Sequence, residues 1–489
     1  METIATPNCN TSTLAPYGPS SNNPWDTHKI KHVYRRLGFS ANEDDVDAAL
    51  SLTPGQFINN LVDSAHNMPP TPAPYWGYYA SSDFQDYGNE NYDTFIEWRL
   101  QSTKDLLKDN LRGRLAFFWM NHFVTRFGIY YHAPYAFQYY RKMQTHAIGN
   151  FKDFTRAIGL DPAMLIYLNG FENKNDSPNE NYARELFELF TMGEGTGYTQ
   201  NDITEAARAL TGYNSWTEEN GEIYFNPSRF DNGVKTIFGQ TGNWGYDDLI
   251  NILFAEHGAQ IAHNICTKLY KFFVSPAVDN IVEQDIIQPL AQLLVNSNFE
   301  LVPVLKKLFK SEHFFDEYAV GVVIKSPFDV VLNFIKETDL YRNDTILETL
   351  LYYLGVVGQE MYNPVDVAGW QRDEHWINSS TLTARWALID EYIDYLDHNN
   401  HDEKFVDFAK NLTNNSNDPY FITKTLVDHF MSKELYTITD YDIATDVFKW
   451  EVPQNHYDQG IWNLDADSAP HQVIILLKHI ARMPEFQLK

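Results

Sequence analysis

Apolar side chains recur every three to four residues along most of this chain, a spacing that predicts amphipathic α-helices. Asn, Asp or Thr often stands just before the apolar positions, as is typical of helix N-caps. Helices are predicted near residues 26–38, 43–50, 54–65, 92–126, 134–148, 151–158, 179–192 and 200–212, and then near 256–274, 281–296, 300–309, 326–340, 344–357, 379–396, 402–412, 418–431 and 469–483. The pattern predicts a mainly α, large multi-helical globular fold.

The periodicity changes between residues 216 and 245. Residues 222–226 and 234–238 alternate as strands do and flank a turn that contains Asn232-Gly233. This spacing predicts one small β-hairpin insertion.

A chain of 489 residues exceeds the size at which one hydrophobic core usually keeps growing, so either two closely packed subdomains or one large core with insertions is expected. Residues 1–24 are rich in Asn, Ser, Thr and Pro, which predicts a disordered polar tail. The predicted division is the tail (1–24), an N-terminal helical subdomain (25–215), the β-hairpin insertion (216–245) and a C-terminal helical subdomain (246–489).

Charge excludes one class of partner. The chain has 65 acidic and 37 basic residues and a formal net charge of -28, which repels phosphate backbones, so nucleic acid is not expected as a partner. No run of 18 apolar residues is present, which predicts no membrane-spanning segment. The two cysteines, Cys9 and Cys266, provide neither a disulfide framework nor a zinc-finger spacing.

The candidate chemistry lies on the helix predicted at 179–192. A helical wheel places Asn181, Arg184, Glu185 and Glu188 on one polar face and Tyr182, Leu186, Leu189 and Phe190 on the other. A glycine-rich turn follows, and Thr199 with Asp202 predicts a capping box for a second helix that carries Glu205 and Arg208. An antiparallel pair of these helices would bring Arg184, Glu185, Glu188, Glu205 and Arg208 into one charged network.

Two interpretations of this network remain open. Glu185 and Glu188 would serve as acid and base, or together bind a divalent metal ion, if their pKa values are pushed apart. Alternatively, the network is a satisfied set of salt bridges that fixes the register of the two helices.

Two further features bear on these interpretations. His122 shares a helical stripe with apolar residues, so it is either a hydrogen-bonded core residue or a metal ligand or proton shuttle. The stretch Met68–Asn91 predicts a long ordered loop whose Tyr75, Trp76, Tyr78 and Tyr79 form a binding loop or an aromatic flap over the core. No zincin motif, glycine-rich phosphate loop, nucleophile elbow or paired Cys-x-x-Cys is present.

Several segments, taken in order, resemble one bacterial family, the domain of unknown function 1800. They are residues 32–39 (HVYRRLGF), 114–123 (RLAFFWMNHF), 164–169 (MLIYLN), 179–212, 231–239 (DNGVKTIFG), Lys325-Ser326-Pro327, Gly358-Gln359, Gly369-Trp370, 376–378 (WIN), Arg385 and 484–487 (PEFQ). The resemblance covers nearly the whole chain. The chain departs from the family pattern at Phe230, where histidine is usual, and at Asn169, where aspartate is common.

The resemblance implies mostly helical bacterial proteins that are frequently exported, and therefore a periplasmic or extracellular location. It also implies a partner, because such proteins are often encoded beside a family that looks like sulfatases and alkaline phosphatases. It implies no defined activity.

Three functions are therefore carried forward. The first is an exported enzyme that acts on a polysaccharide or other extracellular polymer through Glu185, Glu188 and His122. The second is a non-catalytic periplasmic or cell-surface binding or assembly protein, and the third is a metal-dependent redox protein with His122, Glu185 and Glu188 as candidate ligands. The residues expected to orient a substrate or to stabilise the fold are Asn181, Arg184, Glu205, Arg208, Asp231 and Lys235.

Overall fold

The computed structural model describes residues 13–214 and 223–489. Cys9, the first half of the predicted tail and residues 215–222 at the start of the predicted hairpin lie outside the described residues.

Short helices joined by tight turns build the first half of the chain. They are α1 (Thr27–Leu37), α2 (Glu43–Leu50), α3 (Pro54–Asn67), α4 (Tyr87–Lys108), α5 (Leu111–Met120), α6 (Phe127–Tyr130), α7 (Ala133–His146), α8 (Phe151–Gly159), α9 (Pro162–Tyr167), α10 (Asn181–Glu185) and α11 (Gln200–Ala209). Side chains cap several of them, as the sequence predicts: the Asp26 carboxylate accepts the Lys29 amide at 3.0 Å. The single helix predicted over 92–126 is two helices, because Asn110 has φ +46° and breaks the chain between α4 and α5.

The second half is again helical. Its helices are α12 (Tyr246–Phe273), α13 (Asn280–Val282), α14 (Gln288–Asn296), α15 (Leu301–Phe309), α16 (Pro327–Thr338), α17 (Asp344–Val356), α18 (Ser379–His398), α19 (Glu403–Thr413), α20 (Pro419–Phe430), α21 (Ile438–Phe448), α22 (Gln454–Asp458) and α23 (Ala469–Arg482). α12 is bent at His257, whose φ and ψ of -122° and 18° are not helical.

The β structure consists of two small antiparallel pairs among the described residues. β1 (Tyr213–Asn214) pairs with β2 (Tyr224–Phe225), and β3 (Lys235–Ile237) pairs with β4 (Gln240–Gly242). The mainly α fold is thus confirmed, but the predicted pairing of 222–226 with 234–238 is wrong. Phe238 and Gly239 both have positive φ, +47° and +77°, so they turn the chain back directly after β3, as a two-residue hairpin turn requires.

One continuous hydrophobic core runs through both halves. It includes Val33 of α1, Phe118 of α5, Leu269 of α12 and Leu477 of α23, each no more than 1% exposed. A boundary between two separate cores at the hairpin is not visible in the described residues. Among those residues, no helix combines the length and apolar character needed to cross a membrane.

Residues 13–24 lie on the folded core, so the predicted disordered tail does not extend to residue 24. The Tyr17 amide donates to the Lys310 carbonyl at 2.8 Å. The Tyr17 ring stacks on Phe315 at 4.5 Å between centroids, and only 7% of Tyr17 is exposed. Burial of the Tyr17 side chain favours packing of this segment on the core although most residues around it are polar.

The aromatic stretch between α3 and α4 is an ordered loop that ends at Tyr87, where α4 begins, rather than at Asn91. Trp76 is fully buried beside Trp98, whereas Tyr75 and Tyr78 are 78% and 62% exposed. Trp76 thus covers the core, as an aromatic flap would, whereas Tyr75 and Tyr78 face outward, and the binding role of the loop stays a prediction.

Candidate functional site

The motif helix has two kinds of turn. α10 passes directly into a π-helical turn, Leu186–Thr191, a form that is rare and usually limited to single turns. Tyr182, Leu186 and Phe190 are buried, whereas Arg184, Glu185 and Glu188 are partly exposed. The burial follows the two predicted faces, and the Asn181 amide anchors the helix start by donating to the Leu168 carbonyl at 3.1 Å.

We call the polar side of this helix, Glu180, Arg184, Glu185 and Glu188, the motif face. Arg184 lies between two carboxylates, at 3.3 Å from Glu180 and 3.4 Å from Glu188. Glu180 also accepts the Thr204 hydroxyl of α11 at 2.7 Å, and this hydrogen bond is the main reason why the pKa of Glu180 is lowered.

A second ion-pair group surrounds Arg208 of α11. Arg208 contacts Glu205 at 2.9 Å and Asp231 at 2.7 Å, and its hydrogen bond is the main cause of the lowered pKa of Asp231. The Lys235 ammonium donates to the carbonyls of Asp231 and Gly233 at 2.5 and 3.0 Å. Within the described residues, no ion pair joins this group to Arg184 or Glu188, so the predicted single network is two groups.

Glu185 differs from the other motif-face carboxylates. It is half-buried and has no hydrogen bond or ion pair among the residues that the structure describes. Burial raises the pKa of Glu185, the neighbouring charge of Glu188 raises it further, and Arg184 opposes both. Glu185 is therefore a solvent-accessible carboxyl group that holds its proton more readily than an ordinary glutamate.

Tyr167 and Tyr198 connect the motif face to its surroundings. Burial raises the pKa of Tyr167, and the charges of Asp366 and Glu185 raise it further, so both carboxylates lie near its phenol. The pKa of Tyr198 is also raised, first by burial and then through its contact with Glu188.

His122 lies in the core rather than on the motif face. Its Nε2–H donates to the Phe190 carbonyl at 3.0 Å, and its Nδ1 lies 3.3 Å from the Lys268 ammonium. Burial lowers its pKa well below the usual value, so the imidazole is neutral.

His122 is one of three side chains that hold the end of the π-helical turn. Lys268 donates to the Leu189 carbonyl at 2.7 Å, and Asn264 donates to the Thr191 carbonyl at 2.7 Å. Carbonyls at a helix C-terminus lack partners within the helix, so these donors satisfy them in sequence. As a core residue, His122 therefore has a contact for each of its two ring nitrogens.

The three candidate metal ligands do not converge on one point, because both ring nitrogens of His122 face the end of the π-helical turn. In residues 13–214 and 223–489, no three His, Cys, Asp or Glu side chains are grouped so that they could hold a metal ion. The divalent metal and the redox function stay predictions.

A cavity of about 50 Å³ lies elsewhere, between α5, α12, the start of α16 and residues 370–373. We call it the cationic cavity, since its lining includes Arg114, Lys271, Arg372 and Lys489 but only two acidic residues, Asp329 and Asp373. Asp329 is buried and lies 2.6 Å from both Arg114 and Lys489. The walls of the cationic cavity include Phe117, Phe272, Trp370 and Trp376.

The family model described as "Protein of unknown function (DUF1800)" matches residues 32–488. The chain belongs to this family. No curated protein and no solved structure gives a match.

Several segments through which the chain resembles this family meet at the cationic cavity. Residues 114–123 supply Arg114 and Asn121, and three other segments supply Ser326, Gln359 and Trp370. Gly369 permits this meeting, because it has φ +89° and a Cβ there would lie 2.2 Å from Asn121 Oδ1. The motif face is thus not the only place where the family-like segments come together.

Sequence reasoning missed this cavity. Its signals were present but weak: an arginine within an apolar helix at Arg114, and the capping-box spacing of Ser326 and Asp329. Nothing local indicates that Arg114 and Asp329, which are 215 positions apart, form a buried pair.

The two departures from the family pattern have local structural roles. Asn169 adopts φ +57°, a left-handed conformation that Asn and Asp tolerate better than most residues. The Phe230 ring lies 4.8 Å from the Lys235 ammonium, so an aromatic contact stands where a histidine is usual.

Proposed function

We propose that this protein acts on a polysaccharide or another extracellular polymer, with Glu185 as the group that transfers a proton. The carrying observation is that Glu185 is a half-buried, accessible carboxyl group with a raised pKa and no partner among the described residues. Catalytic acids require a pKa near the working pH, and burial and a neighbouring carboxylate shift the pKa of Glu185 upwards, in that direction. The proposal includes the extracytoplasmic location that the family resemblance implies.

The roles of the two glutamates differ in their partners. Glu188 is 3.4 Å from Arg184, whereas Glu185 has no such contact. We assign Glu185 as the proton donor and Glu188 as the carboxylate whose charge keeps that proton in place.

The tyrosine-rich loop supplies a surface for a polymer. Tyr75 and Tyr78 are exposed, and sugar rings pack well against aromatic faces. The loop is connected to the motif face through α6. The Tyr87 hydroxyl, at the end of the loop, donates to the Tyr131 carbonyl at 2.9 Å just after α6. Helix α6 in turn packs on α9, which ends at Tyr167.

Release of reducing ends from neutral, uronate-containing and sulfated polysaccharides tests the proposal. With a polymer that the wild type cleaves, Glu185→Gln should reduce the rate by about 100-fold or more. The control, Glu172→Gln, changes an exposed glutamate that is not part of the motif face and should keep wild-type activity. Cleavage of no polymer, or full activity of the Glu185→Gln variant, would refute this function.

A pH profile tests the role of Glu188. A general acid loses activity as the pH rises through its pKa. Removing the Glu188 charge in Glu188→Gln lowers the pKa of Glu185, so the alkaline limb of the profile should move to lower pH. An unmoved limb would contradict the assignment.

A non-catalytic binding protein is the second candidate, and one observation favours it. Neither Glu185 nor Glu188 lines any of five cavities found among the described residues. In that case a fluorescently labelled polymer should bind Glu185→Gln as tightly as the wild type, and a Tyr75→Ala, Tyr78→Ala double variant should bind more weakly.

A further inference from the structure

The cationic cavity lies against an unusual surplus of buried positive charge. Five cationic side chains in and around it are each no more than 2% exposed: Arg36, Arg114, Lys325, Arg385 and Lys489. The buried acidic side chains near them are Asp329 and Glu337, and Glu337 is already 2.6 Å from Arg35. Six buried cations, counting Arg35, thus lie near two buried carboxylates and the partly buried carboxylate of Asp373, which also lines the cavity.

Several donors of these cations have no hydrogen-bond partner in the described part of the chain, although Lys325 and Arg114 also lie over aromatic rings. They are Nε and Nη1 of Arg36, Nε of Arg114, Nζ of Lys325, and Nη1 and Nη2 of Arg385. Buried charged groups are normally paired or hydrogen-bonded, because leaving such a group unpaired costs several kcal/mol. Arg114, one of the residues with such a donor, lines the cavity itself.

Electrostatics support the same conclusion. Burial lowers the pKa of Arg36 to about 9, with Arg114 as the next cause, and burial lowers the pKa of Lys325 to about 7. The pKa of Lys489 is also lowered, first by burial and then by Arg114. A negative charge in the cavity would reverse these shifts and stabilise the charged forms.

The walls define what else a ligand must carry. Trp370 and Trp376 provide apolar surfaces, while Asn121 and Gln371 provide polar groups. A water molecule needs roughly 10 to 15 Å³ of such space, so a cavity of about 50 Å³ holds a small polyatomic anion. Arginine binds planar and tetrahedral oxyanions well because its donors match their oxygens.

We propose that the cationic cavity binds the oxyanion group of a small ligand, a carboxylate, sulfate or phosphate, with the apolar part of the ligand against Trp370 and Trp376. The site is separate from the motif face and does not depend on the role of Glu185. Arg114, Arg372 and Lys489 contact the anion, and the cations behind them add to the attraction.

Isothermal titration calorimetry tests the proposal on the full chain at constant ionic strength in chloride. The probes are inorganic phosphate, inorganic sulfate, acetate and glucuronate, which separate the three oxyanions and test a ring attached to a carboxylate. At least one should bind saturably with one site per chain. Lys489→Met and Arg372→Gln should each weaken that binding by about ten- to a hundredfold, as expected for a lost charge-assisted hydrogen bond.

One control variant and one second cavity variant make the result of the titration interpretable. Lys307→Met removes the same charge from an exposed position outside the cavity and should bind as the wild type does. Arg372 has no ion pair among the described residues, so Arg372→Gln should fold even if Lys489→Met does not. The absence of saturable binding for every probe, or wild-type affinity in Arg372→Gln, would overturn the proposal.

Discussion

The motif face and the cationic cavity contain the same kinds of charged residue but pair them in opposite proportions. On the motif face, Arg184 lies between two carboxylates, and Arg208 of the separate ion-pair group also contacts two. In the cavity, Asp329 serves both Arg114 and Lys489, and further buried cations lie behind them. The number of carboxylates available to each cation, rather than the types of residue, therefore distinguishes the two regions. A network in which each cation has carboxylate partners is satisfied, whereas a region in which cations outnumber carboxylates attracts an external negative charge.

Exposure separates the two regions as well. Side chains of the motif-face pairs are 19–38% exposed, whereas those of Arg114, Asp329 and Lys489 are at most 3% exposed. Pairs in contact with water contribute little to stability, while breaking a buried pair leaves an uncompensated charge. The two regions should consequently respond very differently to single substitutions.

The largest effect is expected from Asp329→Asn. The change leaves Arg114 and Lys489 without their shared carboxylate, so the free energy of unfolding should fall by about 3 to 5 kcal/mol in urea denaturation. A loss below about 1 kcal/mol would mean that the buried charges are compensated in another way.

A smaller effect is expected from His122→Leu. The change removes the donor to the buried Phe190 carbonyl, so stability should fall by about 1 to 3 kcal/mol. His28→Leu, at an exposed position of α1, is the control and should stay within about 0.5 kcal/mol of the wild type. Equal stability of the two variants would show that His122 does not anchor the π-helical turn.

The pH dependence of the free energy of unfolding should reveal two lysines, Lys325 and Lys268. Burial lowers the pKa of Lys325 and of Lys268 to about 7, so between pH 7.5 and 9.5 the unfolded chain binds more protons than the folded one. Stability should therefore rise with pH in this window, by at most about 1.4 kcal/mol per pH unit for each lysine. Lys325→Met should flatten the rise, as should a saturating anion in the cavity, and an unchanged slope in Lys325→Met would exclude Lys325 as its source.

The smallest effects are expected on the motif face. Arg184→Gln breaks two partly exposed pairs and should cost about 0 to 1 kcal/mol.

Glu185→Gln should instead raise stability slightly at pH 7. A raised pKa means that the folded chain holds the proton to higher pH than the unfolded chain, so the native carboxylate loses stability as the pH rises through that window. A loss of stability in Glu185→Gln would reveal a partner for this carboxylate.

Local signals predicted most of the helices and placed Arg184 and Glu188 on one face, but they missed Glu180. Apolar spacing indicates most of the helices, and Glu180 and Glu188 lie four residues from Arg184 on either side, which is the spacing at which helical side chains meet. The break at Asn110 and the turn at Phe238 depend on positive φ values, which these residue types do not require. The pairing of Arg114 with Asp329 depends on packing between distant helices, which periodicity does not determine.

The π-helical turn at Leu186–Thr191 has a consequence for comparing lengths among related chains. A π-helical turn accommodates about one residue more than the α-helical turn that it replaces. Deleting one residue there should restore a regular α-helix and leave the flanking residues in their present orientation, because the wide turn absorbs the extra residue locally. A homologue that is one residue shorter at this point should therefore contain a regular α-helix, so a single gap in an alignment would identify which chains share the π-helical turn.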